Sequence, residues 1–96
     1  MTNPKFEIGQ VLATPGCLAA LDEAGQSVGE FMARHQQGDW GDLSATDAAL
    51  NDAALTDGSR ILSSYLLQTG IKIWIISDAV DEQGQRVTTC LLPDEY

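Results

Sequence analysis

Only a handful of side chains in this chain are of a type and spacing that could do chemistry. His35, the one histidine, stands four residues before Asp39 and seven before Asp42, which could gather an imidazole and carboxylates round a metal ion. Metal sites generally use three or four protein ligands, and Gly38 breaks the helical spacing before Asp39, so the plainer reading is a core-facing or interface histidine. Cys17 falls in the first turn of an expected helix, where the helix dipole favours a thiolate. With His35 as base it would make a Cys-His pair, yet Cys17 also belongs to that helix's apolar stripe. Cys17 and Cys90 do not form a CxxC pair, and in a reducing cytoplasm each reads as a small buried hydrophobe and not as half of a disulfide. Ser63 and Ser64 lie next to Tyr65 without a GxSxG elbow, and no second histidine exists to act as a base.

Asp39, Asp42, Asp47, Asp52 and Asp57 recur nearly every five residues. Such steps turn by about 140° on a helix, so the carboxylates spread around the axis and form a solvated face, without the DxDxDG order of a calcium loop. No GxGxxG or GxxxxGK[ST] is present. Gly38-Asp39-Trp40-Gly41 reads as a structural turn that pins Trp40 on the core, with a functional alternative in which Trp40 anchors a partner. No catalytic residue, metal or cofactor is assigned.

The elements that hold these groups follow from caps and periodicity. Thr14-Pro15 starts a helix over 15–24, stopped by Gly25, with Cys17, Leu18, Leu21 and Ala24 on its apolar face. Ser27 and Glu30 have the capping-box form; Val28, Phe31, Met32 and His35 then lie on one helical stripe, and Gly38 ends it. Ser44 to Asp47 opens a third, alanine-rich helix running to Thr56, whose expected buried side is Leu50, Ala53 and Ala54. After Gly58 the period shortens to 2 and strands are expected over 60–68, 71–77 and 86–92, joined as an antiparallel meander, with an edge strand or extended arm over 7–13.

Alternation along these strands places Ile61, Tyr65, Leu67, Ile71, Ile73 and Ile75 on one face and Leu62, Leu66, Trp74, Ile76, Cys90 and Leu92 on the other. Both faces are apolar, so each needs a cover. A homodimer through the sheet is the expected arrangement, and Trp40, Leu62, Leu66, Trp74 and Ile76 are the candidate partner-binding residues.

With 96 residues, 44% hydrophobic, the chain fits a single domain spanning 1–96. Five Lys and Arg against fourteen Asp and Glu give a net charge of −9. The scattered cations exclude direct nucleic-acid binding through phosphates, and the acid excess favours a basic partner. The longest apolar run, Ile73 to Ile76, is strand-sized, so no membrane span is expected, and the first residues lack a secretory signal, which implies a cytoplasmic location.

Arg34-His35, Gly38-Asp39-Trp40-Gly41, Asn51, Ala54-Leu55, Gly58-Ser59-Arg60-Ile61 and Ser64-Tyr65 carry a resemblance that continues through Gly70, Lys72 to Ile76, Thr88-Thr89 and Leu91 to Tyr96. On these residues the chain resembles a group of small plasmid-related proteins carried on mobile elements, of the integron gene-cassette type. The resemblance covers nearly the whole chain and implies no set activity, cofactor or catalytic residue. Where that pattern has a shorter turn before the last strand, this chain has 79–85. The expected protein is therefore an α+β domain, three short helices packed on a three- to four-stranded antiparallel sheet. Its expected role is a non-enzymatic accessory or protein-interaction module of mobile DNA. The alternatives are an acidic DNA mimic inhibiting a host restriction or CRISPR complex, and a small enzyme using Cys17 or His35.

Overall fold

A computed structural model of the chain describes residues 4–96; part of the segment on which the expected lack of a leader rests, residues 1–3, lies outside them. The element order is β1 (Gln10–Ala13), α1 (Pro15–Ala24), α2 (Val28–Gln36), α3 (Ala45–Asp57), β2 (Ile61–Leu66), β3 (Lys72–Ser77) and β4 (Val87–Leu91), followed by a 3-10 turn, Pro93–Glu95. The class is α+β, as expected. The three helices begin where their caps dictate: Thr14, Ser27 and Ser44 accept from the N–H of Cys17, Glu30 and Asp47. The box at Ser27 closes on one side only, because the Glu30 carboxylate takes the Gln26 side-chain amide instead (3.1 Å).

The sheet runs β1-β4-β3-β2 and is mixed. β2, β3 and β4 form the expected antiparallel meander, but β1 lies parallel to β4, pairing Leu12 with Thr89. A single residue, Thr14, separates β1 from α1, and the partner strand is far along the chain, so no local signal fixed this direction. Ile61, Ser63, Tyr65, Ile73, Ile75, Ser77, Thr88 and Cys90 are all buried, and their phase in the ladders puts them on the helix side. There Cys17, Leu21, Phe31 and Met32 close the main core. Each large apolar side chain so buried contributes on the order of 2 kcal/mol.

Three expectations are corrected. Cys90 faces the helices and not the opposite side, because it pairs with Ile75; Leu91, opposite Trp74, takes the outer position, and Leu92 packs against the main core. Cys17 and Cys90 are buried as expected but are bonded to each other across 73 residues of sequence, tying α1 to β4. Nothing in a separation that long announces that the first turn of α1 packs on the last strand. The contact row of α3 is Asn51 and Ala54, while Leu50 is 65% exposed and Ala53 points to solvent.

Asn51 is inward because α3 runs along β2, an edge strand. The hairpin bond from the Leu67 N–H to the Ile71 carbonyl sets the phase in which the peptide groups of Leu62, Ser64 and Leu66 point away from β3. Asn51 behaves as a peptide for the first of these: its Oδ1 accepts from the Leu62 N–H (3.1 Å) and its Nδ2 donates to the Leu62 carbonyl (2.6 Å). The Trp40 carbonyl accepts from the Ser64 N–H (3.1 Å), and the Asp42 N–H donates to the Ser64 carbonyl (2.6 Å). Gly41, between them, is indispensable: φ is +75°, and a Cβ there would collide with the Ser64 carbonyl. The β2 edge of the sheet is thus closed by the chain itself at Leu62 and Ser64. Asn51→Ala strips both partners from Leu62 and is expected to cost about 2 kcal/mol, read as a lower urea midpoint at unchanged m-value.

Candidate functional site

His35 projects from α2 into the core and is 0% exposed. Its Nδ1 lies 2.5 Å from Ser63 Oγ and its Nε2 2.9 Å from Ser77 Oγ. Ser77 Oγ lies 2.6 Å from Thr88 Oγ1, and Thr88 donates to the Ile8 carbonyl (2.7 Å). That last bond fixes all the others. Since the single Thr88 proton goes to Ile8, Ser77 must donate to Thr88; Ser77 then accepts from Nε2–H, and Nδ1 accepts from Ser63. The imidazole is neutral, protonated on Nε2, within a one-way chain that crosses β2, β3 and β4. Burial, and then the nearby Arg86 cation, push its pKa down to about 4. The Phe6 and Trp40 rings stand edge-on to it at 5.3 and 5.9 Å.

The sequence placed His35 on a core-facing stripe, and its partners there are hydroxyls. Ser63, Ser77 and Thr88 interrupt inward rows that are otherwise apolar, and that interruption is the signal for a buried polar partner. Cys17 is bonded to Cys90 and His35 to its serines, so the Cys-His pair does not assemble. Asp39 does not approach the imidazole as a ligand partner: its Oδ2 binds Arg34 Nε at 2.7 Å and its Oδ1 accepts from the Gly41 N–H, which together hold its carboxyl below the usual range. The Arg34 guanidinium sits over the Tyr65 ring (4.5 Å), whose hydroxyl donates to the Asp39 carbonyl and whose pKa burial raises to about 12.

Arg86, one of the scattered cations of the sequence and marked by no motif there, is also buried. It donates to the carbonyls of Ser59 (2.7 Å), Asp78 (2.9 Å) and Ala54 (3.4 Å) and lies over the Phe6 ring at 5.6 Å. Its role is to gather the end of α3 and the approaches to β2 and β4, and desolvation lowers its pKa. Position 86 follows the 79–85 turn, in which Asp81 Oδ1 accepts from the N–H groups of Gln83 and Gln85. The ladder that follows is regular, Ser77 opposite Thr88.

The candidate contact residues divide. Trp40 is 7% exposed and donates through Nε1 to Asp52 (3.1 Å), so it is a core residue and no exposed anchor. Ile76 is buried; Leu62 and Trp74 are half-buried; Leu66 is 61% exposed. These four share the outer face of the sheet with Leu91 and Leu12, opposite the helices. Its cover is partial and comes from the C-terminus: Tyr96 stands edge-on to Trp74 at 5.8 Å, and Arg60 donates to the Tyr96 hydroxyl. Glu95 fastens this tail by accepting from the Thr14 hydroxyl (2.6 Å) and the Leu92 N–H (2.8 Å). Beside it a hollow of about 240 Å³ is lined by Arg60, Ile76, Asp78, Thr89, Leu91 and Tyr96.

Charge is distributed unevenly around this face. None of the fourteen carboxylates of the chain lies on β1, β2, β3 or β4. The acids stand at the margin: Asp42 pairs with Lys72 (3.7 Å), Asp47 lines a hollow with Leu62 and Arg60, and Asp78 lines the hollow under Tyr96. Comparison with protein-family models, curated proteins and solved structures finds no match to this chain. No helix among the described residues is long and apolar enough to cross a membrane.

Proposed function

We propose that this chain is a non-enzymatic protein-interaction module that receives a basic protein partner on the outer face of its sheet. The observation that carries the reading is the pairing of an apolar, carboxylate-free strand surface, with Leu66 bare, and an acidic margin. Interfaces are built this way, with an apolar centre for contact and a charged rim that steers encounter and orients the partner. The internal bonding of Cys17 and His35, each closed to solvent, supports a role without catalysis. A DNA mimic would work through its carboxylates instead, and several of these are already engaged, among them Asp39 by Arg34, Asp52 by Trp40 and Glu95 by Thr14. Carriage on mobile DNA, which the resemblance implies, completes the proposal, with a cytoplasmic location in which the Cys17–Cys90 bond persists because both residues are closed to solvent. Self-association belongs to it as well, with its support at the sheet edge.

Leu66→Asp places a carboxylate on this face at the end of β2 without disturbing the core, and Leu18→Asp does the same on the helix side, where Leu18 of α1 is 50% exposed. In capture from the native host, basic proteins are expected to be retained by the unaltered chain and by Leu18→Asp and lost by Leu66→Asp. Retention by Leu66→Asp, or capture of acidic partners only, overturns it.

A further inference from the structure

The two edges of the sheet are unlike. At β2 the outward peptide groups of Leu62 and Ser64 are bonded by Asn51 and by the Trp40–Asp42 bend. At β1 the Thr14 N–H donates to the Cys90 carbonyl (3.0 Å), which sets the phase of the parallel ladder: Gln10, Leu12 and Thr14 turn their peptide groups toward β4. Val11 and Ala13 therefore turn theirs outward, and no partner for them exists among the described residues. Native sheets ordinarily blunt such an edge with charge, proline, a bulge or a covering segment. β1, Gln-Val-Leu-Ala, has none of these within it, and Val11 and Leu12 are both exposed.

We propose that β1 is a self-pairing edge, joining two copies of the chain by antiparallel β1-to-β1 addition about a two-fold axis at Leu12. The hydrogen-bonding pattern is self-complementary. With Leu12 opposite Leu12 of the second copy, Val11 faces Ala13 and Ala13 faces Val11, and the groups that point outward are those that an antiparallel hydrogen-bonded pair exchanges, about four bonds in all. Charge selects the same occupant. A chain at −9 repels its own copies over most of its surface, and β1, an open edge that carries no charge, is a place where two copies approach at little cost. Leu12 shares the outer face with Thr89, its partner on β4, so the two leucines meet there as a non-hydrogen-bonded pair, where side chains stand closest. The product is a continuous sheet whose two outer faces lie side by side. The inference rests on backbone geometry and is independent of whether that face binds a partner.

The test is sedimentation equilibrium of the chain and of variants at micromolar to millimolar concentration. The unaltered chain is expected to approach the mass of two chains. Leu12→Lys and Leu12→Glu each set like charges in opposition and should weaken association ~10-fold or more, and mixing the two should restore it, a rescue that misfolding cannot imitate. Val11→Pro removes an outward N–H without touching the β4 ladder and should leave a single chain. Leu66→Asp, on the outer face away from β1, should not change the mass. A single-chain mass for the unaltered protein throughout this range overturns the proposal. So does association that survives Leu12→Lys, or that Leu66→Asp abolishes while Val11→Pro does not; that last outcome would mean that copies meet face to face.

Discussion

Reduction of the Cys17–Cys90 bond is expected to lower the unfolding free energy by about 4 kcal/mol, the largest single effect in the molecule. The bond closes a loop across 73 residues of sequence, and the entropy that such a closure removes from the unfolded chain grows with loop length. A domain of this size has a total stability of roughly 5–15 kcal/mol, so the reduced form should melt many degrees lower. Thermal melts with and without reductant, beside a Cys17→Ala, Cys90→Ala double variant that ignores reductant, check this. Coincident melts would contradict it. Thiol titration of the protein taken directly from its host reports which form is present there, and with it the redox character of the compartment.

The second large effect is acid sensitivity centred on His35. The folded chain holds the imidazole neutral, with its pKa pushed down to about 4, whereas in the unfolded chain it takes up a proton near the ordinary 6.5. Between those values the unfolded state binds more protons than the folded one, so stability falls as the pH falls through this window. It is fully present above 6.5 and lost by about 3 kcal/mol once the pH is below 4. Asp39 and Glu95, whose pKa values are lowered by their partners, withdraw stability at the acid end of the same range. The histidine contribution is isolated by comparing the protein with His35→Gln in urea titrations at a series of pH values. The expected result is a steeper loss for the unaltered protein between pH 6.5 and about 4, and parallel curves would contradict it.

These two effects also mark where the sequence stops being readable. Helix boundaries were legible because Thr14, Ser27 and Ser44 are local signals that act on N–H groups three residues away. The strands of the meander were legible because Tyr65, Ile73 and Ile75 alternate with a period that only a sheet satisfies. The parallel pairing of β1, the Cys17–Cys90 bond and the inward turn of Asn51 were not, since each depends on which surfaces meet over long separations. His35 fell between: its stripe announced burial, while its partners Ser63, Ser77 and Thr88 come from strands whose relative register no local pattern specifies. Trp40 carries two readings in the sequence, a pin on the core, which the structure bears out, and a partner anchor, because an aromatic between glycines looks alike whether the turn folds outward or, as here, inward over Asp52 and Phe6.

A sheet edge closed by the chain itself at Leu62 and Ser64 of β2, against one left open at Val11 and Ala13 of β1, is the basis of the self-pairing edge. Amide hydrogen exchange, followed residue by residue at concentrations where the chain sediments as one molecule, tests that asymmetry most directly. Slow exchange at Leu62 and Ser64 with fast exchange at Val11 and Ala13 is the predicted result. Fast exchange at Leu62 and Ser64, or protection of Val11 and Ala13 in the single chain, would contradict it.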